Sequence, residues 1–239
     1  MANYVLVHGT WRGAWVWGEV AASLRARGHA VFTPTLSGLG ERSNAATGTV
    51  NLSTHIRDIS NVLMYQQLED VILCGHSYAG MVISGVADAM PERIRTLFYL
   101  DAWIPSDGDS VASLSGPEIF DLLTTAGAGE GFAIPPSPVE TFGGREENYD
   151  LIRSLSSPQP VATFLETINL RGGLEKVADK RFILAEKWTP NPFEKYAAIA
   201  RSSGWKFSSF YAGHEAMLDE PLGLARILSA DFGLTGQPR

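Results

Sequence analysis

Along most of the chain, short apolar runs alternate with stretches in which apolar residues recur every three or four positions. "YVLVHG" reads as a strand that starts almost at the first residue. "AVFTPTL", "VILC", "TLFYLDA", "RFILAE" and "WKFSSFY" repeat the strand signal further on. Between them, "AWVWGEVAASLRARG" sets Trp17, Val20, Ala21 and Leu24 on one helical face, with Gly28 as its stop. "STHIRDISNVLMYQQ" spaces Ile56, Ile59, Leu63 and Gln66 in the same way, with Ser53 or Thr54 as N-cap. Further helical patterns run from Tyr78 to Met90, before Pro91, and over "PFEKYAAIARSSG" and "EPLGLARILSADFG". The alternation predicts an α/β protein with a mostly parallel sheet of about six strands flanked by helices.

From about Ser106 to Asp179 the rhythm breaks. "TTAGAGEGF", "IPPSP" and "LSSPQP" are rich in turn residues, yet Phe120, Leu122, Phe132, Ile134, Phe142, Tyr149 and Phe164 are scattered among them. So many large apolar residues do not fit a solvent-facing excursion. We read 1–239 as one domain, with a small, mostly helical cap inserted at about 106–179 over one end of the sheet. There are no internal repeats.

Composition narrows the function classes. Of 239 residues, 45% are hydrophobic and 19% charged, a globular balance. The 26 acidic residues exceed the 19 Lys and Arg, for a net charge of -7, and no basic block stands out, so no nucleic-acid partner and no anionic membrane surface is expected. "MANYVLVHG" shows no signal-peptide pattern, and no apolar run is long enough to span a bilayer; a cytoplasmic protein is expected, monomer or homodimer. Cys74, the lone cysteine, falls inside a strand and reads as a core residue.

The chemistry starts at "GHSYAG", 75–80, where a strand meets a helix with almost no loop between them. A turn that sharp forces strained backbone angles on its central residue and crowds its neighbours, so small residues are needed on either side. It lifts Ser77 clear of the sheet's carboxyl edge, with a helix N-terminus aimed at the same spot; this is a nucleophile elbow, with Ala79 in place of the last glycine. A serine needs a base. Of the five histidines, His214 in "FYAGHEAML" follows the last strand, at the same sheet edge as Ser77. The third member should be a strand-end acid between the two. Asp101, after four apolar residues in "TLFYLDAW", would be desolvated and in need of a partner, whereas Glu186 in "RFILAEKW" has Lys187 beside it. Asp101 is preferred and Glu186 is the alternative. Donors for an oxyanion would be the Tyr78 amide and, in the loop "HGTWRGAW", the Thr10 amide with Trp11 next, Gly9 allowing the close approach; each such donor can contribute about 3 kcal/mol to lowering a barrier. Gly9, Trp11 and Trp103 are candidate substrate contacts. No His/Asp/Glu spacing fits a metal, and "GAGEG" at 127–131 follows no strand, so no metal, nucleotide or other cofactor is expected.

Together, the strand-"HG"-loop, "GHSYAG" and "GHEAML" resemble the α/β-hydrolase superfamily over most of the chain apart from the cap. "VLVHGTWRGAWVW", "PTLSGLGERS" and "FYLDAWIPSDG" are similar to bacterial esterases of salicylate-type esters, pyrethroids and carbamates such as carbendazim, in the branch that also holds plant methylesterases and hydroxynitrile lyases. The resemblance implies the α/β-hydrolase fold and a serine carboxylesterase acting on a small-molecule ester. Two departures matter. The plant pattern has an aspartate after the penultimate strand, where "AEKWTPNPF" has none, which strengthens Asp101. The lyases pair a first-loop threonine with a lysine after the histidine, and here Gly9 and Glu215 stand there, which favours hydrolysis. The rival readings are a lyase, a cofactor-free perhydrolase or dioxygenase, and a small-molecule receptor.

Overall fold

A computed structural model of the chain describes residues 1–128 and 131–230. Gly129, Glu130 and 231–239 lie outside the described residues, as do the side chains of Glu118, Phe120, Thr125 and Ala128. That leaves the centre of "GAGEG" and the tail of the last expected helix without a description.

The strands are β1 (Asn3–Val7), β2 (Ala30–Phe32), β3 (Val71–His76), β4 (Ile94–Leu100), β7 (Asp179–Ala185) and β8 (Lys206–Phe210), and they form one sheet in the order β2-β1-β3-β4-β7-β8. Every pairing is parallel. Parallel neighbours need crossovers, and the helices that supply them cover both faces: α1 (Gly18–Ala26) on one, joined there by α10 (Pro221–Ser229) after the last strand, and opposite them α2 (Leu52–Tyr65), α3 (Ala79–Ala89) and α8 (Glu194–Ser202). The period of two along each strand divides the core accordingly. Tyr4, Leu6, Ile72, Cys74, Phe98 and Leu100 pack with Val20, Leu24, Leu224 and Leu228 on one face. Val5, Val7, Leu73, Leu97 and Tyr99 pack with Ile59, Leu63, Val82 and Val86 on the other. β3 is buried at all six positions, the expected state of a central parallel strand.

Between β4 and β7 lie α4 (Val111–Leu114), α5 (Glu118–Ala128), β5 (Ala133–Ile134), α6 (Tyr149–Leu155), β6 (Gln159–Pro160) and α7 (Ala162–Leu165). The insertion therefore also holds a short antiparallel pair, Ala133 opposite Pro160 and Ile134 opposite Gln159. Two residues per strand are too few for any alternation to be read in advance. α9 (Ala216–Asp219) follows the His214 loop.

Two boundaries differ from expectation. The cap of α2 is Asn51, whose side chain accepts the Thr54 N–H while the Thr54 hydroxyl receives the Asn51 N–H; Thr54 is thus the third helical residue of a capping box, and Ser53 lies inside the helix. β2 stops at Phe32, two residues before Pro34, which has no N–H for a ladder. Beyond it the Leu36 amide donates to His8 Nε2.

Candidate active site

At the junction of β3 and α3, Ser77 has φ +55°, in the left-handed region. The corner is held by two main-chain bonds: the Ser77 N–H donates to Leu100 O and its carbonyl accepts the Trp103 N–H. Tight packing explains the small flanking residues. A Cβ on Gly75 would lie 2.7 Å from Ala79 O, and one on Gly80 only 2.1 Å from Trp103 O. The demand for glycine therefore falls most heavily on Gly80, and Ala79 is tolerated one position earlier.

Asp101 also has positive φ, +43°, and its carboxylate is completely buried. Its Oδ2 lies 2.6 Å from His214 Nδ1. Its Oδ1 accepts from Asn191 Nδ2 at 2.8 Å and from the Ala185 N–H at 3.2 Å. Asn191 is itself fixed, donating to Ala185 O and accepting the Phe193 N–H. Glu186, by contrast, is exposed. Among the described residues it forms no ion pair with Lys187, whose ammonium instead lies 4.8 Å from the centroid of the Tyr211 ring. The structure thus brings Asp101 to His214 and leaves Glu186 outside.

The His214 ring is stacked on Phe193 (centroids 5.5 Å, 14° between planes) and flanked by Trp188 and Phe142. Its carbonyl accepts from His76 Nε2 at 2.8 Å, and its N–H donates to Phe142 O. Buried Asp219 accepts the Gly213 N–H just before it. These bonds hold the loop and fix which way the imidazole faces.

Ser77 and His214 line one cavity of about 460 Å³, together with Thr10, Trp11 and Trp103. Phe142, Phe164, Trp188 and Phe193 add aromatic surface to its wall. Ser77 Oγ makes no hydrogen bond among the described residues. Gly9, read as a substrate contact, does not line this cavity; it lies beneath the elbow, where a Cβ would come within 2.9 Å of Ser77 Cβ and His76 Nδ1. The Trp11 amide, second choice as an oxyanion donor, is taken by Gln159 Oε1. The Thr10 and Tyr78 amides have no acceptor among the described residues. The Tyr78 side chain turns away from the cavity, its hydroxyl donating to His55 Nδ1.

A model of the alpha/beta hydrolase family matches residues 4–227. The chain belongs to that family. This hydrolase is 40% identical to a carbendazim hydrolyzing esterase of Nocardioides sp. (strain SG-4G), over 96% of its own length and 99% of that protein's. It is 27% identical to methylesterase 10 of Arabidopsis thaliana, over 95% and 90%. An extracellular alpha/beta-hydrolase from a Paenibacillus species, described as sharing structural and functional homology with tobacco Salicylic Acid Binding Protein 2, superposes with a TM-score of 0.84 at 24% identity, covering 96% of this chain and 98% of that one.

Several residues of the hydrolase's site carry no local signal in the sequence. Arg12 and Glu215 form an ion pair buried beside the cavity, Nε to Oε1 2.7 Å, with Arg12 Nη1 also donating to Ser156 Oγ. Burial alone would raise the Glu215 carboxyl, but the Arg12 guanidinium, with His76 and His214 nearby, holds it below the ordinary carboxylate range. Only the position of Glu215 next to His214 could have drawn attention to it. Among the described residues no group of three or more His, Cys, Asp and Glu could hold a metal ion. No helix among them is long and apolar enough to cross a membrane.

His8, His55 and His76 are buried as neutral rings; burial lowers them to about 4, about 4 and about 3. Their hydrogen bonds suit that state. His8 Nδ1 donates to Gly9 O, His55 Nε2 to Ser37 O and His76 Nε2 to His214 O. In the unfolded chain the same rings take up protons near pH 6.5. Their contribution to stability is therefore complete above about pH 6.5 and is lost as the pH falls towards the folded values. With all three contributing, the loss reaches at most about 4 kcal/mol per pH unit. Urea unfolding midpoints should change little between pH 7.5 and about 6.5 and then drop steadily towards pH 5; a flat profile below about pH 6.5 contradicts the assignment.

Proposed function

We propose that this carboxylesterase-type hydrolase cleaves small apolar or aromatic carboxylic esters, carbamates among them, through an acyl-enzyme on Ser77. The observation that carries the reading is the 2.6 Å contact of His214 Nδ1 with buried Asp101, in the cavity that Ser77 also lines. Asp101 accepts the Nδ1 proton and so keeps the Nε2 lone pair free for the serine hydroxyl. As Ser77 Oγ attacks the carbonyl carbon, its proton passes to His214 Nε2, and the carbonyl oxygen gains charge opposite the Thr10 and Tyr78 amides. The C–O bond breaks and His214 returns the proton to the departing alcohol. Water, deprotonated by the same nitrogen, then attacks the acyl group, releasing the acid and regenerating Ser77.

The substrate class follows from the cavity. Its aromatic wall and its size fit one aromatic ring with a short ester arm. The named activities of the relatives, carbendazim hydrolysis and methyl-ester hydrolysis, support the same class. A lyase would need a free cation to hold cyanide, and the cation that lines the cavity, Arg12, is engaged by Glu215. Turnover of p-nitrophenyl butyrate and phenyl acetate should therefore be readily measured, with cyanohydrin cleavage at background. The opposite ratio would sink the esterase reading.

A further inference from the structure

In the loop after β1, Trp11 adopts φ +64°, a conformation that a large side chain disfavours and that persists only where its surroundings impose it. The cap imposes it. The Ser157 N–H donates to Trp11 O at 2.9 Å, the Trp11 N–H donates to Gln159 Oε1 at 3.2 Å, and the indole N–H donates to Ile134 O at 3.0 Å. Every polar group of this residue is thus bound by the strand pair β5–β6 or by the turn leading into it.

Gln159 is the side chain in that clamp, and it is completely buried. Its orientation follows from its other bond. Thr163 Oγ1 donates to Pro160 O at 2.6 Å and so accepts from Gln159 Nε2 at 2.8 Å, which leaves the amide oxygen for Trp11. The neighbouring chain is tied to the same segment: Ser157 Oγ accepts the Gly40 N–H, and Ser156 Oγ accepts from Arg12. With the Thr10–Trp11 peptide pinned in this way, the adjacent Thr10 amide has no acceptor among the described residues, and Thr10 lines the cavity beside Ser77.

We propose that Gln159 is a positioning residue for catalysis: by taking the Trp11 N–H it locks the loop after β1 in its left-handed turn and so sets the Thr10 amide where the oxyanion forms. The proposal rests on the esterase reading and deepens it. It makes the cap part of the catalytic apparatus, since a cap strand fixes half of the oxyanion site across 148 residues of chain. A donor that drifts loses its effect steeply, because hydrogen bonds to developing charge depend on preorganised geometry.

The test compares Gln159→Met, of similar length but without the amide oxygen, with Gln159→Glu, which keeps an oxygen for Trp11 whether or not it is ionised. Active sites are first counted by the p-nitrophenol released from a p-nitrophenyl phosphonate, so that only folded molecules enter kcat. Gln159→Met should lower kcat for p-nitrophenyl butyrate by about ten- to a hundredfold, with KM within about twofold of wild type. Gln159→Glu should run at least about fivefold faster than the methionine variant, since the Trp11 bond survives. A methionine variant within about threefold of wild-type kcat overturns the proposal, and so do two variants that fall equally, which marks a packing role alone. If the phosphonate fails to label Ser77 in the wild type, the esterase reading fails first and this one falls with it.

Discussion

Ser77→Ala should lower kcat for p-nitrophenyl butyrate by about a millionfold, the loss seen when an acyl-transfer nucleophile is removed. Binding should survive, because Trp11, Trp103, Phe142 and Phe164, which also line the cavity, are left in place and only one hydroxyl is removed. The fold should survive as well. Alanine meets the same left-handed strain at φ +55° that serine meets, and Ser77 Oγ makes no hydrogen bond among the described residues that would be lost. The deletion is thus a clean one. Ester turnover by the variant above about 1% of wild type would move the nucleophile elsewhere, since positioning and the oxyanion donors alone leave only a small residual rate.

Asp101→Asn should cost about ten-thousandfold in kcat, for a reason the geometry fixes in advance. An asparagine there could in principle turn its amide either way. Oδ1, however, sits between two donors, Asn191 Nδ2 and the Ala185 N–H, so the amide oxygen is held on that side. The NH2 group must then face His214 Nδ1, where Oδ2 now lies at 2.6 Å. A donor at that point stabilises the tautomer with its proton on Nε2, the nitrogen that has to accept the serine proton. Asparagine tolerates positive φ, so the turn at φ +43° is kept. Glu186→Gln, on an exposed side chain, should leave kcat within about twofold, as surface changes remote from the chemistry do. A large loss in Glu186→Gln beside a near-wild-type Asp101→Asn would reverse the choice of acid.

The parts of the site legible in the sequence are those set by local steric demands. The elbow could be read because a sharp strand-to-helix turn dictates small residues at fixed offsets, and His214 because the order of strands puts its loop at the same sheet edge. The choice between Asp101 and Glu186 could not be closed locally, since both end apolar strands. It depends on which strand end the His214 loop crosses. Asn191 was hidden for a related reason: between two prolines in "TPNPF" it reads as a turn residue, and its bond to Asp101 spans 90 positions. The cap hid most. Its strands are two residues long, and Gln159 looks polar and solvent-facing in "LSSPQP", although it is completely buried. The N-cap of α2 cannot be read locally, because Asn51, Ser53 and Thr54 all carry short oxygen-bearing side chains, and only the reciprocal bonds show which of them stands outside the helix.

The Arg12–Glu215 pair also constrains how this chain could change over generations. Removing one member of a buried pair strands the other charge, at a cost of about 3–5 kcal/mol. A charge reversal at position 215 would do worse, setting a second cation against a guanidinium that is 1% exposed. Each order passes through a destabilised intermediate, and the one that neutralises position 12 first, leaving Glu215 unpaired, avoids the like-charge pair that a lysine at 215 would create beside Arg12. The two positions are epistatic, and the order of change decides how much stability a lineage loses on the way to a cation beside the histidine.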